Sequence, residues 1–361
     1  MKTNIYVLCG GKSVEHDVSL KSASAIINAI DREKYNVYPI YITNDGIWCN
    51  LGILNKKIEN PDELRRNSSD TVAYSMGEFL TTVLKTGEKN LVFPALHGTN
   101  GEDGTIQGLL ELLEIPYVGN EVLSSAVAMD KAMTKDLFAK YNIPQAKYLA
   151  VQKHVWNENE EDIYLRVEKE IGYPCYVKPS NGGSSVGISR AENREELIIS
   201  FKEAFLYDLK VVVEEELVAR EMQTSVIGNN DPKASVPGEF IMERAFFDYN
   251  AKYIDGKLIP VVPARLEPWV MDKVRELAVQ AFKILNCRGL ARVDIFVTDE
   301  NKIFVNEVNT MPGFTALSMT PVLWGATDGT TYARLIERLI QLALERYEQK
   351  KSILKTRRIN Q

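Results

Sequence analysis

Histidine and cysteine are the scarce residues of this 361-residue chain: His16, His97 and His154 are dispersed, and Cys9, Cys49, Cys175 and Cys287 show no CxxC spacing. A histidine-built metal centre, a zinc site and a disulfide framework are therefore not indicated. Long apolar runs are missing too, so no membrane span and no membrane partner is expected. The opening MKTNIYVL is broken at once by Gly10-Gly11 and reads as a buried strand rather than a signal peptide, which makes a reducing cytoplasm the expected compartment. Nor is positive charge in surplus. A formal net charge of −6 argues against a nucleic-acid partner, which calls for a basic domain. Two nucleotide fingerprints are also absent. Tyr6 stands where a Walker A loop ending in Lys12-Ser13 needs its first glycine. No GxGxxG follows the opening strand, which leaves an NAD-dependent oxidoreductase without its main support.

What is present is an ordinary globular composition, long enough for two or three domains. Strand Ile5–Leu8, helix Ser19–Ile30 and strand Val37–Ile42 form a βαβ unit, so those strands should be parallel. Leu91–Leu96 is a further strand and Thr105–Leu113 a helix, while 50–89 holds an insertion and a helix that the pattern does not resolve. The loops Gly10–Ser19 and His97–Gly104 follow strand ends, at the edge where ligands of open α/β sheets gather. Residues 1–125 thus read as one α/β domain. Helix Met129–Tyr141 stops at Asn142-Ile143-Pro144. From there 126–219 reads as a small α+β lobe, with strands Lys147–Val151, Pro174–Lys178 and Lys210–Glu215 and helices Glu160–Glu170 and Arg194–Tyr207. Residues 220–361 hold strand Arg220–Ile227, helix Met271–Leu285, a hairpin and helix Tyr332–Tyr347. The basic tail Lys350–Arg358 is expected to complement the helix dipole and stay solvated.

The hairpin carries the chemistry. Arg292–Val297 and Lys302–Asn309 alternate polar with apolar residues around the turn Thr298–Asn301. Period-two geometry puts Arg292 and Asp294 on one side, and Glu307 and Asn309 on one side of the partner strand. A cation and three oxygen ligands on a rigid floor suit Mg²⁺, which keeps waters and takes phosphate oxygens. Upstream, Lys178-Pro179-Ser180-Asn181-Gly182-Gly183-Ser184-Ser185-Val186-Gly187 places a lysine at a strand end and then a loop whose amides can wrap phosphate. VVVEEEL (211–217) ends a strand in carboxylates, which fits an adenine edge and ribose hydroxyls or plain solvation. FFDYNAKY (246–253) reads as a mobile flap or as packed aromatics. Glu15 can receive an ammonium group or cap the next helix, and His97 is equally open.

Taken in order, GGKSVEHDVSL (10–20), ALHGTNGEDGTIQG (95–108), MDK (129–131), VKPSNGGSSVGI (177–188), FDYNAKY (247–253), ARVD (291–294) and NEVNTMPGFTALSM (306–319) resemble the ATP-grasp superfamily and, within it, the D-alanine–D-alanine ligase family. The match runs nearly the whole chain. It implies an ATP-grasp fold behind an N-terminal Rossmann-like parallel-sheet domain, and ATP-dependent joining of two D-alanines through a D-alanyl phosphate, for peptidoglycan precursors. ATP would meet Lys131, Lys178, Ser185, Glu214, Glu215, Leu217, Glu221, Phe246 and Asn306. Asp294, Glu307 and Asn309 would hold two Mg²⁺ or Mn²⁺ ions. Glu15, Ser184, Tyr253, Arg292 and Gly313 would serve catalysis, with Arg292 and the Gly313 amide facing the oxyanion. His97, Lys252, Ser318 and Met319 would bind the amino acids. A homodimer and K⁺ activation are further family expectations.

Two positions depart from the family pattern: Phe247 replaces a tyrosine, and Glu216 stands where an aromatic or apolar residue is usual. Tyr253 keeps the residue of the dipeptide-forming members, which implies D-alanine rather than D-lactate as second substrate. A D-alanine–D-serine ligase and a catalytically silent nucleotide-binding copy are the rival readings. The intact charged set speaks against the silent one.

Overall fold

Thr3–Gly10 (β1) is buried at every position but the first, as expected of a strand covered on both faces of a parallel sheet. The computed structural model describes residues 2–83, 88–241 and 259–353. Helix His16–Ala29 (α1) crosses from β1 to Tyr35–Ile42 (β2), and the two strands pair in parallel as the βαβ pattern predicts. Trp48–Asn50 (β3) and Asn90–Pro94 (β4) complete a sheet of order β3-β2-β1-β4. Helices Val72–Val83 (α2) and Thr105–Leu112 (α3) accompany it.

A second sheet, wholly antiparallel, combines Tyr148–Gln152 (β5), Cys175–Pro179 (β6), Ser189–Ala191 (β7) and Lys210–Glu215 (β8) in the order β5-β8-β6-β7. The third contains Arg220–Gly228 (β9), Lys233–Ala234 (β10), Gly238–Ile241 (β11), Ile259–Val261 (β12), Gly289–Val297 (β13) and Ile303–Asn309 (β14). Its order is β12-β11-β9-β13-β14, with β10 paired to β9.

A further helix, Val122–Met129 (α4), precedes the expected helix Met129–Tyr141, which is Lys131–Lys140 (α5). Asp130 between them is extended, and its carboxylate caps the second by accepting from the Met133 amide. An Asp at that place competes for the backbone and breaks the run. Helices Lys153–Glu158 (α6), Glu160–Glu170 (α7) and Arg194–Ala204 (α8) cover the second sheet, and Pro268–Ile284 (α9) lies on the third. Met319–Asp328 (α10) leads to Tyr332–Lys351 (α11). Leu335, Ile336, Leu339 and Ile340, at helical spacing on α11, join the core of the first sheet with Ile5, Val7 and Leu20. The last helix therefore ties the chain's end to its beginning. Lys350 in the basic tail is not merely solvated, because its ammonium lies 2.6 Å from both Glu111 and Glu121.

Candidate active site

On the hairpin, Arg292 lies opposite Asn309 and Asp294 opposite Glu307, so all four share one face. The register then slips between Asp294 and Ile295, whose partner is Val305. Asn306 is the extra residue of this bulge. In an unbroken strand Asn306 and Glu307 would point to opposite faces; here both line the same cavity. The Arg292 guanidinium forks onto Asp294 at 2.7 and 2.6 Å, and Asp294 is 1% exposed. Burial opposes the arginine's charge, but the Asp294 carboxylate raises its pKa above the ordinary range. With its amide turned to satisfy both neighbours, Asn309 accepts from Arg292 (3.0 Å) and donates to Glu102 (3.3 Å). Among the described residues no three His, Cys, Asp or Glu side chains converge on a common metal position. The expected set is instead two carboxylates and an amide. Such a partial set of oxygen donors fits Mg²⁺, whose shell is completed by water and phosphate.

A cavity of about 760 Å³ opens between the second and third sheets and is lined by Lys131, Lys178, Ser185, Glu214, Glu215, Leu217, Glu221, Asn306 and Glu307. Its size suits a nucleotide-sized ligand. Glu214 is buried between Lys178 (3.0 Å) and Lys135 (3.4 Å), and its Oε1 has no hydrogen-bond partner among the described residues. Burial pushes this carboxyl upward, yet the two ammonium groups outweigh it and hold the pKa down to about 2. Glu216 turns from the cavity and is forked by Arg190 at 2.6 and 2.9 Å, with Tyr176 Oη at 3.2 Å. This departure from the family pattern is accommodated by an ion pair.

A smaller cavity of about 120 Å³ shares Lys131, Ser185, Ile188 and Glu307 with the first and is otherwise lined by Glu15, His97, Glu102, Ser184, Arg292, Asn309 and Gly313, among others. Glu15 begins α1 without capping it. Its Oε1 accepts from Ser184 Oγ, and its Oε2 is buried without a hydrogen-bond partner among the described residues. Gly98 and Gly183 allow this approach, since a Cβ would meet Glu15 Oε2 at 2.6 and 2.9 Å respectively. Glu102 accepts from the amides of Gly98 (2.7 Å) and Met311 (3.1 Å). Burial, reinforced by Glu15, pushes its pKa up to about 8.

Ser318 and Met319 line neither cavity; Ser318 Oγ instead accepts from the Thr315 amide at the start of α10. Phe246, Phe247, Lys252 and Tyr253 lie outside the described residues. The sequence reading missed Lys135, Glu102 and Ser22. Lys135 follows Lys131 by one helical turn and shares its face. Glu102 stands inside the GEDG loop, and Ser22 one turn after Ser19 on the buried side of α1. A polar residue on the inward face of an amphipathic helix was the available signal.

An ATP-sized cavity walled by two sheets, with paired lysines and an acidic hairpin at its floor, defines the chain as an ATP-grasp enzyme. The family model described as D-ala D-ala ligase N-terminus matches residues 4–120, and the one described as D-ala D-ala ligase C-terminus matches 137–341. The chain belongs to the D-alanine–D-alanine ligase family. It is 49% identical to the D-alanine–D-alanine ligase of Geobacillus kaustophilus over 362 residues, covering 99% of this chain and 98% of that protein. The corresponding ligase of Listeria monocytogenes is 48% identical over 365 residues, with 98% of each covered. Among solved structures, the D-alanine–D-alanine ligase of Coxiella burnetii superposes with a TM-score of 0.79 at 34% identity, covering 97% of this chain and 96% of that one. The VanG D-Ala:D-Ser ligase of Enterococcus faecalis gives 0.80 at 32%, covering 95% and 100%.

Proposed function

We infer that this enzyme joins two D-alanines with ATP, releasing ADP and phosphate. The observation that carries the reading is the shared wall between the two cavities: Lys131, Ser185 and Glu307 border both. A triphosphate in the larger cavity would end where an amino acid in the smaller one begins. In this account the first D-alanine places its ammonium at the buried Glu15 Oε2, which no described residue pairs, and its carboxylate toward the phosphates. A carboxylate oxygen attacks the γ-phosphorus, the bond to the β-phosphate oxygen breaks, and ADP leaves. The amine of the second D-alanine then attacks the acyl carbon, phosphate departs and the nitrogen loses a proton.

Such transfers depend on positioning and charge neutralisation more than on covalent help. Lys131 and Lys178 stand where phosphate oxygens would lie, and the Glu214–Leu217 backbone at the end of β8 would read the base. Glu221 faces the ribose. Arg292 and the Gly313 amide face the oxyanion of the second step. Asp294, Glu307 and Asn309 would hold two Mg²⁺ or Mn²⁺ ions, which when bound neutralise the β- and γ-phosphate charge. Ser318, Met319, Lys252 and Tyr253 are assigned to the second amino acid, and Phe246 to the base.

Three units, 1–125, 126–219 and 220–361, a homodimer, K⁺ activation and a cytoplasmic setting complete the proposal. No described helix is long and apolar enough to cross a membrane. The experiment is ADP release with identified products for D-alanine, D-serine and D-lactate side by side. D-alanyl-D-alanine as main product supports the reading, whereas a D-serine or D-lactate product moves the chain to a sister specificity.

A further inference from the structure

We propose that Asp208 is a positioning residue of the ligase: it latches the glycine loop 181–187 over the reacting phosphates. The inference rests on the proposed reaction and adds to it a residue far from the substrates in sequence and outside both cavities.

Asp208 sits in the short turn between α8 and β8. One carboxylate oxygen, Oδ1, accepts from the Leu209 and Lys210 amides at 2.6 and 3.3 Å, which fixes the turn itself. The other, Oδ2, accepts from both the Asn181 backbone amide (2.6 Å) and the Asn181 Nδ2 (3.0 Å), at the first residue of the loop. Short bonds to an ionised carboxylate are the strong kind. The next residue back, Tyr207, lays its ring on the loop's far end. A Cβ on Gly187 would come within 2.6 Å of that ring, so only glycine lets the contact form. One turn thus grips both ends of the loop.

The span between, Gly182 to Ser185, lines the smaller cavity. Lys131 donates to the Gly182 carbonyl at 2.7 Å, and Ser184 reaches Glu15. Ser184 and Ser185 both have positive φ, of 52° and 59°. Non-glycine residues adopt that conformation only when their surroundings impose it, and the two anchors supply the constraint. An acyl phosphate hydrolyses readily, so a loop held at both ends keeps water away while the second amine arrives. A loosened loop would still permit phosphoryl transfer, and water would compete for the acyl group.

Asn in place of Asp208 is nearly isosteric but has one acceptor oxygen, so it can serve the turn or the latch and not both. The test measures ADP released per dipeptide formed in the parent enzyme, Asp208→Asn and Tyr207→Ala, with thermal melting in parallel. The parent should give one ADP per dipeptide; if it forms no dipeptide, the proposed reaction itself fails. Given that parent value, the latch predicts that both variants release at least about twofold more ADP per dipeptide and lose roughly tenfold in kcat for dipeptide. A ratio still at one in both variants, with rates falling only as the folded fraction falls, would reduce Asp208 to a turn cap and overturn the proposal.

Discussion

His97 donates from Nδ1 to the Met311 carbonyl at 2.9 Å, joining residues 214 positions apart. A carbonyl can only accept, so Nδ1 carries the proton, and in the neutral ring Nε2 accepts from Ser22 Oγ at 2.9 Å. Ser22 in turn accepts from the Phe314 amide at 3.0 Å. Burial lowers the His97 pKa against the pull of Glu15, which keeps the ring neutral in this arrangement. Both ring nitrogens are occupied. His97 is thus suited to orienting the site rather than moving protons, and with Ser22 it brackets Pro312-Gly313, whose amide is proposed to face the oxyanion. Ser22→Ala should lower kcat by about tenfold with the KM for ATP unchanged, because an oxyanion donor drifts while the nucleotide cavity is untouched. Steady-state kinetics decide it, and an unchanged kcat would detach the serine from the site.

Arg292 holds Asp294 and is proposed to face the oxyanion, and its removal should show both. Arg292→Ala should cut turnover by roughly 10²–10³ while ATP binding persists, by analogy with loss of an oxyanion donor. It also takes the arginine away from the buried Asp294 carboxylate, so unfolding stability should fall by about 3–5 kcal/mol. Denaturant melts and nucleotide titrations on the same variant separate the effects. Full turnover would remove Arg292 from the chemistry.

Glu307 is proposed as a metal ligand, 3.9 Å from the Lys131 ammonium. Glu307→Gln should shift the Mg²⁺ dependence of turnover to higher concentration. A superimposable metal titration would contradict the ligand set.

The Lys135–Glu214–Lys178 cluster sets a pH limit. The Glu214 pKa is held near 2 in the fold against 4.5 for a free glutamate, so its stabilisation is complete above pH 4.5 and is lost as pH falls toward 2. Lys135→Met removes one cation, lets that pKa rise, and should start acid unfolding at higher pH. Circular dichroism against pH gives the answer. Identical acid limbs would show that Lys135 does not support the carboxylate.

The parallel β1–β2 pair, the three strand-rich regions and the hairpin were legible because apolar period and turn residues mark them locally. The shared face of Arg292, Asp294, Glu307 and Asn309 followed from a period of two. The bulge that turns Asn306 into the cavity was not legible, since no residue type announces one extra position in a strand. Residues 50–89 were obscure for a related reason: the 3₁₀ turn Pro61–Leu64 and the helix α2 are joined by irregular chain. The break at Asp130 went unread although an Asp before Lys131 is a plain capping signal. Ser22, Glu102 and Lys135 were hidden because their partners lie far along the chain, and only the fold brings them together.

The central claim is that one site takes two D-alanines and one ATP to a dipeptide. Supplied with D-alanine as sole amino acid, Mg²⁺ and ATP, the enzyme should release one ADP and one phosphate for each D-alanyl-D-alanine identified by mass. ADP release with no dipeptide formed, or no D-alanine-dependent ADP release at all, would contradict the account.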